Sequence, residues 1–140
     1  MNTVYDQIRY QMLTSAFDWI AADLQLIAWT GSPTFVATEQ TVAQFKTHGG
    51  GVSEIGRSLP ITSKTVSPNG TAQTNQVVIP DVPVGPYVTH FTVTKKHPTT
   101  PDMSELILFV DEAFELPFVP NGLDLIVMPD WLENRGWWRP

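Results

Sequence analysis

Short apolar runs, each closed by proline or glycine, constrain this chain more than any other feature. Leu24 to Trp29 ends at Thr30-Gly31-Ser32-Pro33, and Ser67-Pro68-Asn69-Gly70 separates Leu59–Val66 from Ala72–Ile79. Proline fixes φ and lacks an amide donor, while Asn and Gly accept positive φ, so these clusters stop strands and turn the chain. Strands at such spacing predict a mainly β chain, folded as a single β-sandwich or barrel domain. Leu24, Leu26 and Ala28 alternate with Gln25, Ile27 and Trp29 along a buried strand. Tyr87, Thr89, Phe91 and Val93 alternate with Val88, His90, Thr92 and Thr94, giving one mainly apolar and one mainly polar face. The run from Glu105 to Asp111 is nearly all apolar and reads as a central strand. Strict alternation places Leu106, Leu108 and Val110 on one side of it, with Ile107 and Phe109 on the other. Leu123 to Met128 is the next strand, and Trp137-Trp138 a last short one.

Two regions depart from this pattern. Val4, Ile8 and Met12 repeat at four, with Tyr5 and Leu13 beside them, so residues 3–15 read as a short amphipathic helix capped by Asn2 or Thr3. A helix this short is marginal alone in water and must dock. Because the chain runs from it straight into a strand, residues 1–16 are expected to be an N-terminal helical arm docking on a neighbouring subunit, and 17–140 the β-sandwich domain. Residues 34–58 predict loop with a little helix around Val42 and Phe45, and His48-Gly49-Gly50-Gly51 a flexible hinge.

Composition narrows the function. The net charge is −6, and no run of Lys or Arg exceeds Lys95-Lys96, so the basic stripe that nucleic acid requires is missing. An anionic membrane surface is disfavoured for the same reason. Apolar stretches of about seven residues fall far short of the roughly 20 that span a bilayer. The opening Met1-Asn2-Thr3-Val4-Tyr5-Asp6 has no basic segment leading into an apolar one, so no signal peptide is expected. The chain has no cysteine, which removes disulfides, thiolate ligands and Cys nucleophiles. Charged residues make up only 16%, against roughly 25% in ordinary soluble domains. Such a surface suits burial in an assembly.

No motif supplies catalysis. His48-Gly49-Gly50-Gly51 resembles an oxyanion loop of lipases and esterases, but Gly51-Val52-Ser53 and Gly56-Arg57-Ser58 do not complete a Gly-x-Ser-x-Gly nucleophile turn. His48, His90 and His97 lack the i, i+2 or i, i+4 spacing of metal ligands. Asp111, Glu112 and Glu115 lack the regular spacing of a calcium loop and read as a charged strand end. Asn69-Gly70-Thr71 and the Pro-x-x-Pro spacings at 80–83, 83–86 and 117–120 read as turns. No catalytic residue, cofactor or metal is therefore assigned. Five Trp remain. Trp19 and Trp29 read as core, whereas Trp131, Trp137 and Trp138 crowd the end beside Arg135 and Arg139. Trp and Arg dominate binding hot spots. Adjacent strand residues face opposite ways, so one of Trp137 and Trp138 should leave the core. The candidate protein interface is accordingly Val4, Tyr5, Ile8, Met12, Trp131, Trp137, Trp138 and Arg139.

Several blocks, in order, resemble a family of small virion structural proteins of tailed bacteriophages. They are Tyr5-Asp6, Arg9, Met12-Leu13, Asp18-Trp19-Ile20 and Leu24 to Ala28; then Ser58-Leu59, Ser63-Lys64-Thr65-Val66 and Gly70-Thr71-Ala72; then Ser104 to Asp111. Leu116-Pro117-Phe118-Val119-Pro120-Asn121-Gly122, with Asp124 and Ile126, resembles the family's most distinctive turn and strand, although Leu123 stands where a second Gly is usual. The resemblance implies a β-sandwich capsid cement or decoration protein. It implies binding to the major capsid protein and to itself as a homo-oligomer, and a place on the capsid surface of a virion assembled in the host cytoplasm. A neck or tail component is the nearest alternative. A carbohydrate-binding β-sandwich, with Trp stacked on sugar rings, is the alternative from another class.

Overall fold

A computed structural model describes residues 2–111, 116–128 and 136–137. The chain is mainly β, as expected. Its elements are β1 (Thr3–Val4), α1 (Asp6–Leu13), β2 (Leu24–Thr30), α2 (Val42–Phe45), β3 (Ser53–Arg57), β4 (Thr65–Val66), β5 (Ala72–Gln73), β6 (Val77–Ile79), β7 (His90–Lys95), a 3-10 turn (Pro101–Met103), β8 (Glu105–Val110) and β9 (Leu125–Val127). Five strands form an antiparallel sheet in the order β1-β8-β7-β2-β3, and β4–β5 and β6–β9 form two-stranded ladders. No closed barrel forms among the described residues.

After β3 the chain turns from the sheet to the β6–β9 ladder. Ser58 and Ile61 donate their amides to Leu26 and Leu24 of β2, while Leu59 between them donates to Val78 of β6 at 3.0 Å. The ladder therefore lies over one face of the sheet, here called inner. Leu24, Leu26, Ala28, Phe91, Val93, Ile79, Leu125 and Val127 pack there. Trp137 is fully buried among them, donating Nε1 to Thr74 Oγ1 at 2.8 Å and its amide to Ala72 at 2.8 Å. The outer face carries a second core of Tyr5, Ile27, Trp29, Val42, Phe45, Leu106 and Phe109, covered by the segment from Phe35 to Val52.

Strict alternation fails in β8. Val93 pairs with Leu108 but Thr94 pairs with Leu106, so Ile107 is an extra residue. The bulge sends Leu106 and Phe109 to the outer face, and Ile107, Leu108 and Val110 to the inner one. All five are buried. The face of β7 that reads as polar is also buried. Thr92 Oγ1 accepts from Trp29 Nε1 at 2.9 Å, and Thr94 Oγ1 donates to Gln25 at 3.1 Å.

The N-terminal arm docks on its own sheet, which corrects the expectation of a neighbouring subunit. Thr3 and Val4 pair with Phe109 and Leu108, and the Tyr5 amide bonds the bulge carbonyl of Ile107 at 3.1 Å. Thr3 is thus strand, and Tyr5 stands at the N-cap of α1 with no side-chain cap. Residues 34–58 hold the expected short helix, α2, closed by a Thr41–Gln44 capping box, and also β3, which the sequence pattern did not signal.

Candidate interaction surface

The histidines are committed to structural bonds. His48 Nε2 lies 2.9 Å from both carboxylate oxygens of Glu39, which joins the glycine run to the turn before α2. Burial pushes the Glu39 carboxyl above its ordinary range, and His48 partly offsets this. The Tyr5 hydroxyl is buried without a hydrogen bond; burial, and secondarily the Glu39 charge, push its pKa up. The glycine run is exposed, and Gly31 packs against it. Gly31 has φ +91°, and a Cβ built on it would lie 2.7 Å from the Gly51 backbone, so only glycine fits. His97 Nδ1 accepts the amides of Thr99 and Thr100 at 3.2 and 2.9 Å. His90 Nδ1 meets Thr89 Oγ1 at 2.9 Å, and its ring lies 5.3 Å from that of Phe109.

The serines near the glycine motifs do not join a histidine. Ser58 Oγ accepts from the Leu26 amide and donates to the Leu59 carbonyl, and Ser53 is exposed in β3. Among the described residues no three His, Asp or Glu side chains gather into a group that could hold a metal. No helix among them is long and apolar enough to cross a membrane. Glu112 and Glu115 of the acidic cluster lie outside the described residues.

Two of the cations, Lys46 and Arg57, join an ion-pair cluster. Lys46 lies 2.8 Å from Asp102 and 3.8 Å from Glu54, and Arg57 meets Glu54 at 2.8 Å and Asp102 at 3.3 Å. Hydrogen bonding from Lys46 is the main cause that holds the Asp102 carboxyl below its ordinary range. This cluster ties α2, β3 and the 3-10 turn together at the sheet edge.

The expected interface residues divide sharply. Val4 and Ile8 are buried in the inner core and Tyr5 in the outer one, so their apolar stripe serves the chain's own fold and is unavailable to a partner. Met12 is half-buried against the inner core. Trp137 is core, and it is not part of a strand. Its Gly136 neighbour is wedged so closely that a Cβ there would lie 2.4 Å from Thr71 Cγ2. Trp131, Trp138 and Arg139, with Arg135, lie outside the described residues.

Exposed apolar surface appears elsewhere. Val84, Val119 and Leu123 are exposed on two adjoining turns, with Val84 at 72% and Leu123 at 66%. The Val82 amide bonds the Leu123 carbonyl at 3.2 Å, and a Cβ on Gly122 would lie 3.3 Å from Val84 Cγ2. The layer continues onto the outward side of the β6–β9 ladder, where Ile126 is exposed opposite half-buried Val78. A groove of about 460 Å³ lined by Leu59, Pro60, Thr62, Asn75, Gln76 and Val78 extends it. Only the turn sequence pointed here: the Val119-Pro120-Asn121-Gly122 block was legible as a turn, but its exposure depends on where the ladder packs. No protein-family model, no curated protein and no solved structure matches this chain.

Proposed function

We propose that this chain is a structural protein of a tailed-bacteriophage virion, a cement or decoration protein that binds the major capsid protein and stabilises the shell. The observation that carries the reading is the apolar layer of Val84, Val119 and Leu123, standing exposed on rigid Pro-rich turns. Isolated exposed apolar residues are ordinary, but a grouped set marks a protein contact. The reading is supported by the sequence blocks that resemble small virion proteins and by a composition with few charges to oppose burial. On a shell, each contact is repeated, so modest affinity per site becomes strong retention. Any protein that binds only the assembled shell stabilises it by mass action.

The carbohydrate-binding alternative needs exposed Trp. The three Trp among the described residues, Trp19, Trp29 and Trp137, are buried, with their ring nitrogens donating to Gln73, Thr92 and Thr74 respectively. That reading is therefore less well supported.

The test is co-sedimentation of the purified chain with capsid shells that lack it, followed by thermal disassembly of the loaded shells. Retention, a higher disassembly temperature, and loss of both in Val84→Asp are expected. Absence of binding, or binding that Val84→Asp leaves unchanged, would refute the proposal. Copies per particle separate the positions: hundreds indicate the capsid, a dozen or fewer the neck or tail.

A further inference from the structure

Among the described residues the outward edge of β9 has no partner strand. The Val78 carbonyl accepts from Leu59, so the main-chain groups of Val78 point away from β9. In an antiparallel ladder successive residues point their amide and carbonyl to opposite sides. Val77 and Ile79 therefore bond to Val127 and Leu125, and Ile126, opposite Val78, aims both of its groups away from β6. Among the described residues none bonds to them.

The edges at β1, β5 and β3 are closed or guarded. The Gln40 carbonyl accepts the Leu106 amide beyond the end of β1, and the Trp137 amide covers Ala72 on β5. β3 carries Glu54 and Arg57, held in the ion-pair cluster. Charges of this kind are how edge strands resist further pairing. On β9, by contrast, Ile126 is 42% exposed, Leu123 and Met128 flank it as exposed apolar side chains, and the Asp124 carboxylate is engaged by the Asp81 amide at 2.9 Å.

We propose that this edge pairs with the same edge of a second copy, antiparallel about a two-fold axis through Ile126. Each Ile126 amide then donates to the other's carbonyl, and the two ladders join as β6-β9-β9-β6. The charge pattern selects this register. With Ile126 opposite Ile126, Asp124 of one copy falls opposite Met128 of the other, and the two carboxylates sit at opposite ends of the contact. Moving the axis two residues toward the N-terminus, a slip of one strand by four, would set Asp124 against Asp124, and like charges directly opposite destabilise a pair. A two-fold contact of this kind uses one patch twice and closes on itself. The inference stands whether or not the chain is a virion component: a dimer that ignores capsid shells would sink the virion reading alone.

Sedimentation velocity over a concentration series, with amide hydrogen exchange at each concentration, tests the pairing. The wild type should dimerise, and exchange at Ile126 should slow as the dimer fills. Ile126→Lys places two cations against each other at the axis and should weaken the dimer about 30-fold, with the melting midpoint unchanged at concentrations where the wild type is monomeric. Ile126→Pro removes only the outward amide, a change edge strands tolerate, and should weaken it too. A wild type that stays monomeric throughout, or a dimer that survives Ile126→Lys, overturns the proposal. Protection of Ile126 only when shells are added also overturns it, because the occupant would then be another protein.

Discussion

On its inner face the five-stranded sheet meets the β6–β9 ladder and Trp137, and the buried side chains there are mainly apolar. On its outer face it meets an irregular segment, and the contact mixes aromatic rings with buried polar atoms. Trp29 and Phe45 lie 4.6 Å apart, Tyr5 and Phe35 5.0 Å, and Phe35 and Phe109 5.8 Å, in tilted pairs that contribute beyond their buried area. Thr92 lies within this layer with its hydroxyl satisfied by Trp29. Large rings fill the space under this loop, but not every polar atom beneath it is paired: the Tyr5 hydroxyl is buried without a hydrogen bond.

The N-terminal arm binds the two layers together, and its removal should have the largest effect. Val4 and Ile8 enter the inner core and Tyr5 the outer one. Each buried apolar side chain is worth about 1.5–3 kcal/mol. Their combined loss approaches the whole stability of an ordinary domain, about 5–15 kcal/mol. A chain starting at Thr14 should therefore fail to fold, which circular dichroism and dispersion of amide resonances would show. A folded monomer would mean that the arm merely decorates both layers.

Next come single ring deletions, one per face. Trp137→Ala and Trp29→Ala should each cost about 3–5 kcal/mol in urea denaturation. The comparison sharpens if they differ. A small cost for Trp29→Ala beside a full cost for Trp137→Ala would mean that the irregular cover collapses into the space while the ladder does not. A smaller effect tests the polar atoms alone. Thr92→Val keeps the shape but leaves Trp29 Nε1–H buried and unpaired, which should cost about 1–3 kcal/mol. An unchanged midpoint would show that the outer layer needs only its rings.

The contrast between faces also explains what was legible in the sequence. The long strands β2 and β8 were, because both their faces are buried and their residues are mostly apolar, with only Gln25, Thr30 and Glu105 polar. The turn at Ser67–Gly70 was, because its chemistry is local: the Asn69 carboxamide and Ser67 hydroxyl both accept the Thr71 amide. The bulge at Ile107 was not, since an extra residue in an all-apolar run leaves no mark on composition. Nor was the burial of Thr92 and Thr94, which read as a solvent face because alternation reports polarity and not whether a hydroxyl finds a partner. For the site, the apolar N-terminal stripe and Trp137 were visible as groups needing cover, but whether a partner or the chain itself supplies it depends on long-range packing. The exposed residues Val84, Leu123 and Ile126 look like any strand or turn residues until the ladder is placed.

The smallest expected effect is a pH dependence confined to the outer side. His90 sits on β7 against Phe109, and burial holds its pKa below the ordinary 6.5, with the Asp111 charge pulling partly the other way. The imidazolium is thus harder to form in the folded protein than in the unfolded chain. As pH falls through about 6.5, the unfolded chain takes up its proton first, so stability declines, and it levels off below the folded-state pKa. Above that window His90 is neutral in both states and contributes no slope. Glu39, raised by burial, works in the opposite sense at lower pH, where the folded state takes up the proton first and stability rises as pH falls toward 4.5. Urea midpoints measured across this range for the wild type and His90→Gln separate the two groups. The variant should lose the decline that begins near 6.5 and keep the part due to Glu39. A decline of equal size in both proteins would place its origin away from β7, and the outer face would then be as indifferent to protons as the inner one.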